Sequence, residues 1–173
     1  MLRAAQMDDA PRIAELHIAS WRATYTTELP QAFLDCQDIE ERTAYWRGRL
    51  AGGVIVLLAE GQDGLDGFVA CGPAHGGPTD GPDSVEWEIY NLHVAPTRNG
   101  GGIGSRLFNA AEELGRDRGG RQLILWVVRT NATARTFYEA KGMRADGGEQ
   151  QHVLGDEVLH EMRYRKDLGA ANI

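Results

Sequence analysis

No stretch of this sequence approaches the roughly 20 apolar residues that a membrane-spanning helix needs. The N-terminal segment is broken by acids too early to form the apolar core of a signal peptide. Together these absences lead to the expectation of a cytoplasmic protein with no membrane partner. Cysteine is scarce as well: Cys36 and Cys71 stand in unrelated contexts, whereas a disulfide framework or a zinc site needs more of them at tighter spacing. Both are expected to be small buried hydrophobes. His17, His75, His152 and His160 lack metal-ligand spacing to each other, so no metal is expected. Basic stripes are missing too. The formal net charge is −7, from 25 acidic and 18 basic residues, which argues against a nucleic-acid partner and mildly favours a cationic substrate by long-range attraction. Internal repeats and low-complexity segments are lacking.

What is present is an ordinary globular composition, 42% hydrophobic and 25% charged over 173 residues. That length suits one domain, 1–173, burying roughly two-thirds of its unfolded surface. A short strand, LRAA, precedes a helix over residues 8–25. Asp8 or Asp9 should cap it, with Pro11 in its first turn and Ile13, Leu16, Ile18 and Ala19 as its apolar stripe. A second helical region ends at Gly52 and Gly53. VIVLLAE and LDGFVACGP read as a hairpin, followed by a Gly- and Pro-rich loop at 74–83. A long strand over 84–96 leads through a glycine run into a helix over 103–119, with Ile103, Leu107, Ala110, Ala111 and Leu114 on one face. RQLILWVV is a strand buried on both faces. NATARTFYEAKG is a short helix capped by Asn131 and stopped by Gly142, and a final strand pair closes the chain. The order is mixed α/β, with hairpins on both sides of a central strand–helix–strand unit.

The run NGGGIGS, residues 99–105, is the sharpest feature. Glycine loses more backbone freedom on folding than any other residue, so a run of it between a strand and a helix marks a close approach of backbone to something. Backbone N–H groups at a helix N-terminus, with the positive end of the helix dipole, suit a phosphate. A P-loop needs GxxxxGK[ST], and no lysine follows these glycines. A dinucleotide fingerprint is nearly matched by Gly100 and Gly102, but Ser105 replaces the third glycine and the next strand ends in Arg129 instead of an acid. A nucleotide-dependent oxidoreductase is thereby disfavoured.

NLHVAPTRNGGGIGSRL resembles the acyl-CoA loop of the GNAT N-acetyltransferase superfamily, V-x-P-x-x-[QR]-x-x-G-x-[GA]. Val94, Pro96, Gly102 and Gly104 match it, and Asn99 stands where Gln or Arg is usual, next to Arg98. WRATY…LP, FVACGP, LWVVRTNATARTFYEAKGM and EMRYRKDL resemble further family segments in their usual order, over essentially the whole chain. The resemblance implies an α+β mixed sheet, mostly antiparallel, with one splayed parallel strand pair, a bulge near Asn91 and Leu92, and flanking helices. It implies acetyl-CoA as co-substrate, held by Asn99, Gly100, Gly101, Gly102, Ile103, Gly104 and Ser105 at the pyrophosphate. Leu92, His93 and Val94 would hold the pantetheine arm, and Asn131, Ala134 and Tyr138 also belong to the cofactor side. The activity implied is N-acetyl transfer to a primary amine of a small molecule or peptide by direct attack. The alternative is a non-catalytic acyl-CoA-binding sensor or partner domain on the same fold. The resemblance also leaves room for a homodimer.

The residues fit that chemistry. An amine of pKa near ~10.4 costs roughly 4–5 kcal/mol to deprotonate at pH 7, and a carboxylate can take the proton. Glu86 and Glu88 lie two apart on the long strand, on one face, and by resemblance Glu88 is where many members keep a base. A solvated strand acid is the competing reading for both. Asn131, Ala134 and Tyr138 share one helix face, the first and last about ~10 Å apart, with Phe137 directed to the core. A phenol can protonate a departing thiolate, which the resemblance assigns to Tyr138. His93 faces opposite Leu92 and Val94, and as a lone strand histidine reads first as a packed side chain. The aromatics Trp21, Tyr25, Tyr45 and Trp46 read as core before pocket wall.

Overall fold

In the computed structural model, which describes residues 1–74 and 86–169, the chain combines strands and helices as its hydrophobic periods require. In order they are β1 (Leu2–Ala4), α1 (Ala10–Thr24), α2 (Gln31–Asp35), α3 (Ile39–Ala51), β2 (Ile55–Glu60), β3 (Leu65–Pro73) and β4 (Glu86–Val94). Then follow α4 (Ile103–Asp117), β5 (Gln122–Val128), α5 (Ala132–Ala140), β6 (Arg144–Leu154) and β7 (Glu157–Asp167). The strands form one seven-stranded sheet in the order β1-β2-β3-β4-β5-β7-β6. Pairs β1–β2, β2–β3, β5–β7 and β6–β7 are antiparallel. β4 and β5 are parallel, from Glu86–Gln122 to Ile89–Leu125, and both strands continue beyond that ladder. A mixed, mostly antiparallel sheet with one parallel pair is thus the architecture. Apart from Ala74, the expected Gly- and Pro-rich loop lies outside the described residues.

Two compact units divide the chain: Met1–Cys71 with Asn91–Ala111, and Gly72–Tyr90 with Glu112–Ile173. In the first, α1 buries Ile13, Ala14, Leu16, Ile18 and Trp21, and α3 contributes Trp46. Ala19, expected in the stripe, is exposed, because it falls nearly opposite His17, which stands at the middle of the buried face of α1. Asp9 sits at the N-cap of α1 without capping it by its side chain. Its carboxylate instead accepts both Arg3 Nη groups at 2.7 Å and the Gln6 N–H at 2.8 Å. Arg3 and Arg12 also donate to Glu60 at 2.6 and 2.8 Å, so one ion cluster ties β1, the start of α1 and the end of β2. Asp38 caps α3 by accepting the Glu41 N–H at 2.8 Å. Cys71 is buried as expected, but Cys36 is exposed at the end of the short α2.

The second unit is built on β5, where Leu123, Ile124, Leu125, Val127 and Val128 are buried. Trp87 of β4 packs against Gly115 of α4, where an added Cβ would come within 2.7 Å of the indole. Glu112 of α4 accepts from Lys166 of β7 at 2.8 Å. Buried Tyr164 donates to Glu139 of α5 at 2.7 Å and accepts from Arg135 Nε at 3.2 Å. α4 ends two residues earlier than the sequence suggests, at Asp117, and Gly119 follows at φ +80°.

Candidate functional site

β4 ends at Val94, the chain turns through Pro96–Arg98, and α4 begins at Ile103. Gly100 and Gly102 take φ values of +82° and +75°, and an added Cβ at either meets nothing within 4 Å. Backbone conformation, not crowding, is therefore what requires glycine at both. Residues 96–102 are exposed, Ile103 is buried, and Gly104 and Ser105 are half-buried. The helical hydrogen bonds start with the Arg106 N–H donating to the Gly102 carbonyl at 3.1 Å. N–H groups ahead of it have no intrahelical acceptor and lie at the positive end of the helix dipole. Arg98 does not supply a free charge here. Its Nε and Nη2 donate to Asp66 at 2.9 and 3.2 Å, and the Asp66 carbonyl accepts the Ala95 N–H at 2.8 Å. What the run Asn99, Gly100, Gly101, Gly102, Ile103, Gly104, Ser105 offers an anion is backbone.

Leu92, His93 and Val94 lie at the end of β4 in the same unit, all half-buried. His93 is packed, as a lone strand histidine should be: Nδ1 lies 2.9 Å from Ser20 Oγ, and its ring centroid is 4.6 Å from His17 and 5.3 Å from Phe68. Trp46 Nε1 donates to His17 Nδ1 at 3.1 Å, which assigns the neutral His17 proton to Nε2. That nitrogen is buried and has no hydrogen-bond partner among the described residues. Burial pushes His17 well below the ordinary histidine pKa, with the charges of His93 and Arg42 adding to it. Burial first and Arg42 second pull His93 down to about 4. Both rings are therefore neutral at pH 7.

Arg42 of α3 supplies that charge. Its guanidinium lies 5.6 Å from the Trp21 ring centroid and 5.7 Å from that of Tyr45, and Nη2 donates to Gln37 Oε1 at 2.7 Å. Trp21 and Trp46 are core, as the sequence suggests, while Tyr45 is 44% exposed. The grouping of Arg42, His17, Ser20 and His93 was not foreseen. Its only sequence trace is helical spacing: His17, Ser20 and Trp21 share one face of α1, and Arg42, Tyr45 and Trp46 one face of α3.

The other expected residues lie in the second unit. Glu88 is buried at 9% exposure and Glu86 half-buried, so the solvated-acid reading fails for Glu88. Strand alternation sets both on the side of β4 opposite Trp87. Asn131 caps α5: its Oδ1 accepts the Ala134 N–H at 3.0 Å. Ala134 and Tyr138 are half-buried on α5. Phe137 is half-buried too and not a core residue; its ring lies 5.2 Å from Tyr138, and Lys141 Nζ sits 5.8 Å over it. No group of three or more His, Cys, Asp or Glu side chains among the described residues is placed to hold a metal ion, and no described helix is long and apolar enough to cross a membrane.

Residues 10–143 match the acetyltransferase (GNAT) family. The chain is similar to the probable N-acetyltransferase Rv2775 of Mycobacterium tuberculosis, 33% identical over 84% of this chain and 80% of the relative. Among solved structures, a PaiA N-acetyltransferase from Thermoplasma acidophilum in complex with coenzyme A superposes with a TM-score of 0.70 at 20% identity, covering 93% of this chain and 96% of that one. A putative acetyltransferase from Salmonella typhimurium with acetyl-CoA gives a TM-score of 0.70 at 18% identity, covering 100% and 96%. The loop, the sheet and these likenesses agree, and the chain belongs to the GNAT family of acetyltransferases.

Proposed function

We propose that the protein transfers an acetyl group from acetyl-CoA to a primary amine by direct attack, with no acyl-enzyme. The observation that carries this reading is the exposed run Asn99–Ser105, with left-handed Gly100 and Gly102 opening α4. Its N–H groups would take the pyrophosphate, since the helix N-terminus favours an anion and no side chain there competes for it. N–H groups of Leu92 to Val94 would bind the pantetheine arm, and one near Leu92 would polarise the thioester carbonyl. With its Oδ1 used in capping, Asn131 would meet the arm through its amide NH2.

Glu88 is the proposed base: it is the more buried acid of the strand pair, and Glu86 follows it. Loss of one proton from the ammonium to Glu88 frees the nitrogen lone pair; attack on the thioester carbon breaks the C–S bond and expels the CoA thiolate, and the nitrogen gives up a second proton to solvent to leave the neutral amide. Tyr138 would donate its hydroxyl proton to that sulfur, where charge builds only as the C–S bond breaks, and would regain a proton from solvent. The chain is read as one acetyltransferase domain, 1–173, since the family match runs through residues of both units, and as a cytoplasmic protein able to act as a homodimer. An amine-panel assay following free CoA thiol tests the reaction. Release that depends on an amine is the expected outcome. Tight acetyl-CoA binding without turnover on any amine would favour the sensor reading.

A further inference from the structure

We propose that the acceptor is a small amine that carries a carboxylate, of the amino-acid class, and that Arg42 holds that carboxylate. The inference rests on the transferase reading above and names its substrate class. Of the other arginines in the first unit, Arg3 and Arg12 bond Asp9 and Glu60 and Arg98 bonds Asp66, while Arg22, Arg47 and Arg106 are exposed to water. Arg42 is half-buried, yet its hydrogen-bond partner is the neutral amide of Gln37, and no carboxylate bonds to it among the described residues. A guanidinium has several N–H donors in a planar fork, and Gln37 uses one. Glu41 and Tyr45 act on Arg42 only through space, and burial dominates over both.

A half-buried cation with spare donors is costly unless something completes it. The rings of Trp21 and Tyr45 flank the guanidinium and limit its orientation, which suits a planar, bidentate carboxylate better than a point charge. Position supports the same assignment. The Trp21 ring that carries Arg42 lies 5.6 Å from His17, and His17 lies 4.6 Å from His93, which stands between Leu92 and Val94 in the segment proposed to hold the acetyl donor. Both histidines are neutral at pH 7, so neither offsets the charge of Arg42. A plain amine or polyamine, itself cationic before it loses its proton, would be repelled by it. An amino acid brings the compensating anion on the same small molecule, while the net charge of −7 still attracts its ammonium group from a distance.

The test uses the full chain, acetyl-CoA and matched triples: each α-amino acid, its carboxamide, and the amine lacking the carboxyl group. At least one amino acid should exceed its own amide in kcat/KM by about 10–100-fold, the scale of a charge-assisted hydrogen-bonded pair. Arg42→Gln should raise KM for that amino acid by about 10–100-fold with kcat little changed, and Arg42→Lys should fall between the two. Thermal melts check that each variant folds; if Arg42→Gln does not, the wild-type comparison of acid with amide decides alone. Amides or plain amines acetylated as well as the acids would overturn the inference and leave the transferase reading standing. So would a folded Arg42→Gln that keeps the preference for the acid. Failure of every triple to release CoA thiol would remove the transferase reading and this inference together.

Discussion

Glu88 is the residue at which chemistry and burial meet most directly. At 9% exposure it is no ordinary surface acid, and deprotonation of an amine needs a base held close to the acceptor. Glu88→Gln keeps the shape and removes the basicity, so kcat/KM should fall by about 10²–10⁴-fold at pH 7. The deficit should shrink toward pH 10, where the free amine forms unaided. A rate–pH profile of the variant checks this, and activity equal to wild type at neutral pH would move the base to Glu86, on the same side of the strand. The legible residues at this scale are those whose role is local. Asn131 was readable as a cap because its partner is Ala134, three residues on. Arg42, Ser20 and His17 were not, because what defines them is the packing of α1, α3 and the end of β4 against each other.

The element on which the proposed donor site rests is the start of α4. Gly102 at φ +75° and Gly119 at φ +80° stand at opposite ends of that helix, each in open space and each in the left-handed region. A side chain at either carries a similar backbone penalty, about 1–2 kcal/mol. Gly102→Ala and Gly119→Ala should therefore lose comparable stability in urea melts. Only the change at Gly102 should weaken CoA binding, by tenfold or more in a calorimetric titration, with Gly102→Val weaker still. Equal CoA affinity in both variants would take the loop out of the binding site. Helices and strands were legible at this scale wherever one period dominates, as in β5, whose run is buried nearly throughout. Misreadings of burial fell at single positions, Ala19, Cys36, Tyr45 and Phe137, where composition suggests burial and the direction of the side chain decides it.

For the whole molecule, acid is the informative variable. His93 has its folded pKa lowered from 6.5 to about 4. Between those values the unfolded chain binds more protons than the folded one, so stability falls as pH drops from about 6.5 to 4; His17 adds in the same direction. Asp9 is lowered from 3.8 to about 2, chiefly by its hydrogen bonds from Arg3. Its contribution is fully present above pH 3.8, is lost as pH falls toward 2, and amounts to about 2 kcal/mol. Urea melts from pH 7 to 2.5 should show two successive losses. Asp9→Asn should lower stability at pH 7 by about 2 kcal/mol and remove only the lower-pH loss. A variant as stable as wild type at pH 7 would mean that the ion cluster of Arg3, Asp9, Arg12 and Glu60 does not hold β1 to α1 and β2.

Sequence alone determined the order of elements, the hairpins β2–β3 and β6–β7, and the glycine run that opens α4, since each depends on neighbours within a few turns of chain. Hydrophobic period, cap and left-handed glycine act over that range, and so does the loop pattern by which the family is recognised. Tertiary structure decided which polar side chains are left with unmet charge. Whether Arg42 finds a carboxylate, whether His17 and His93 stay neutral, and whether Glu88 is shielded from water depend on groups far away in the chain. Desolvation and Coulomb interactions act through space rather than along the sequence, and it is through them that this chain would choose its acceptor.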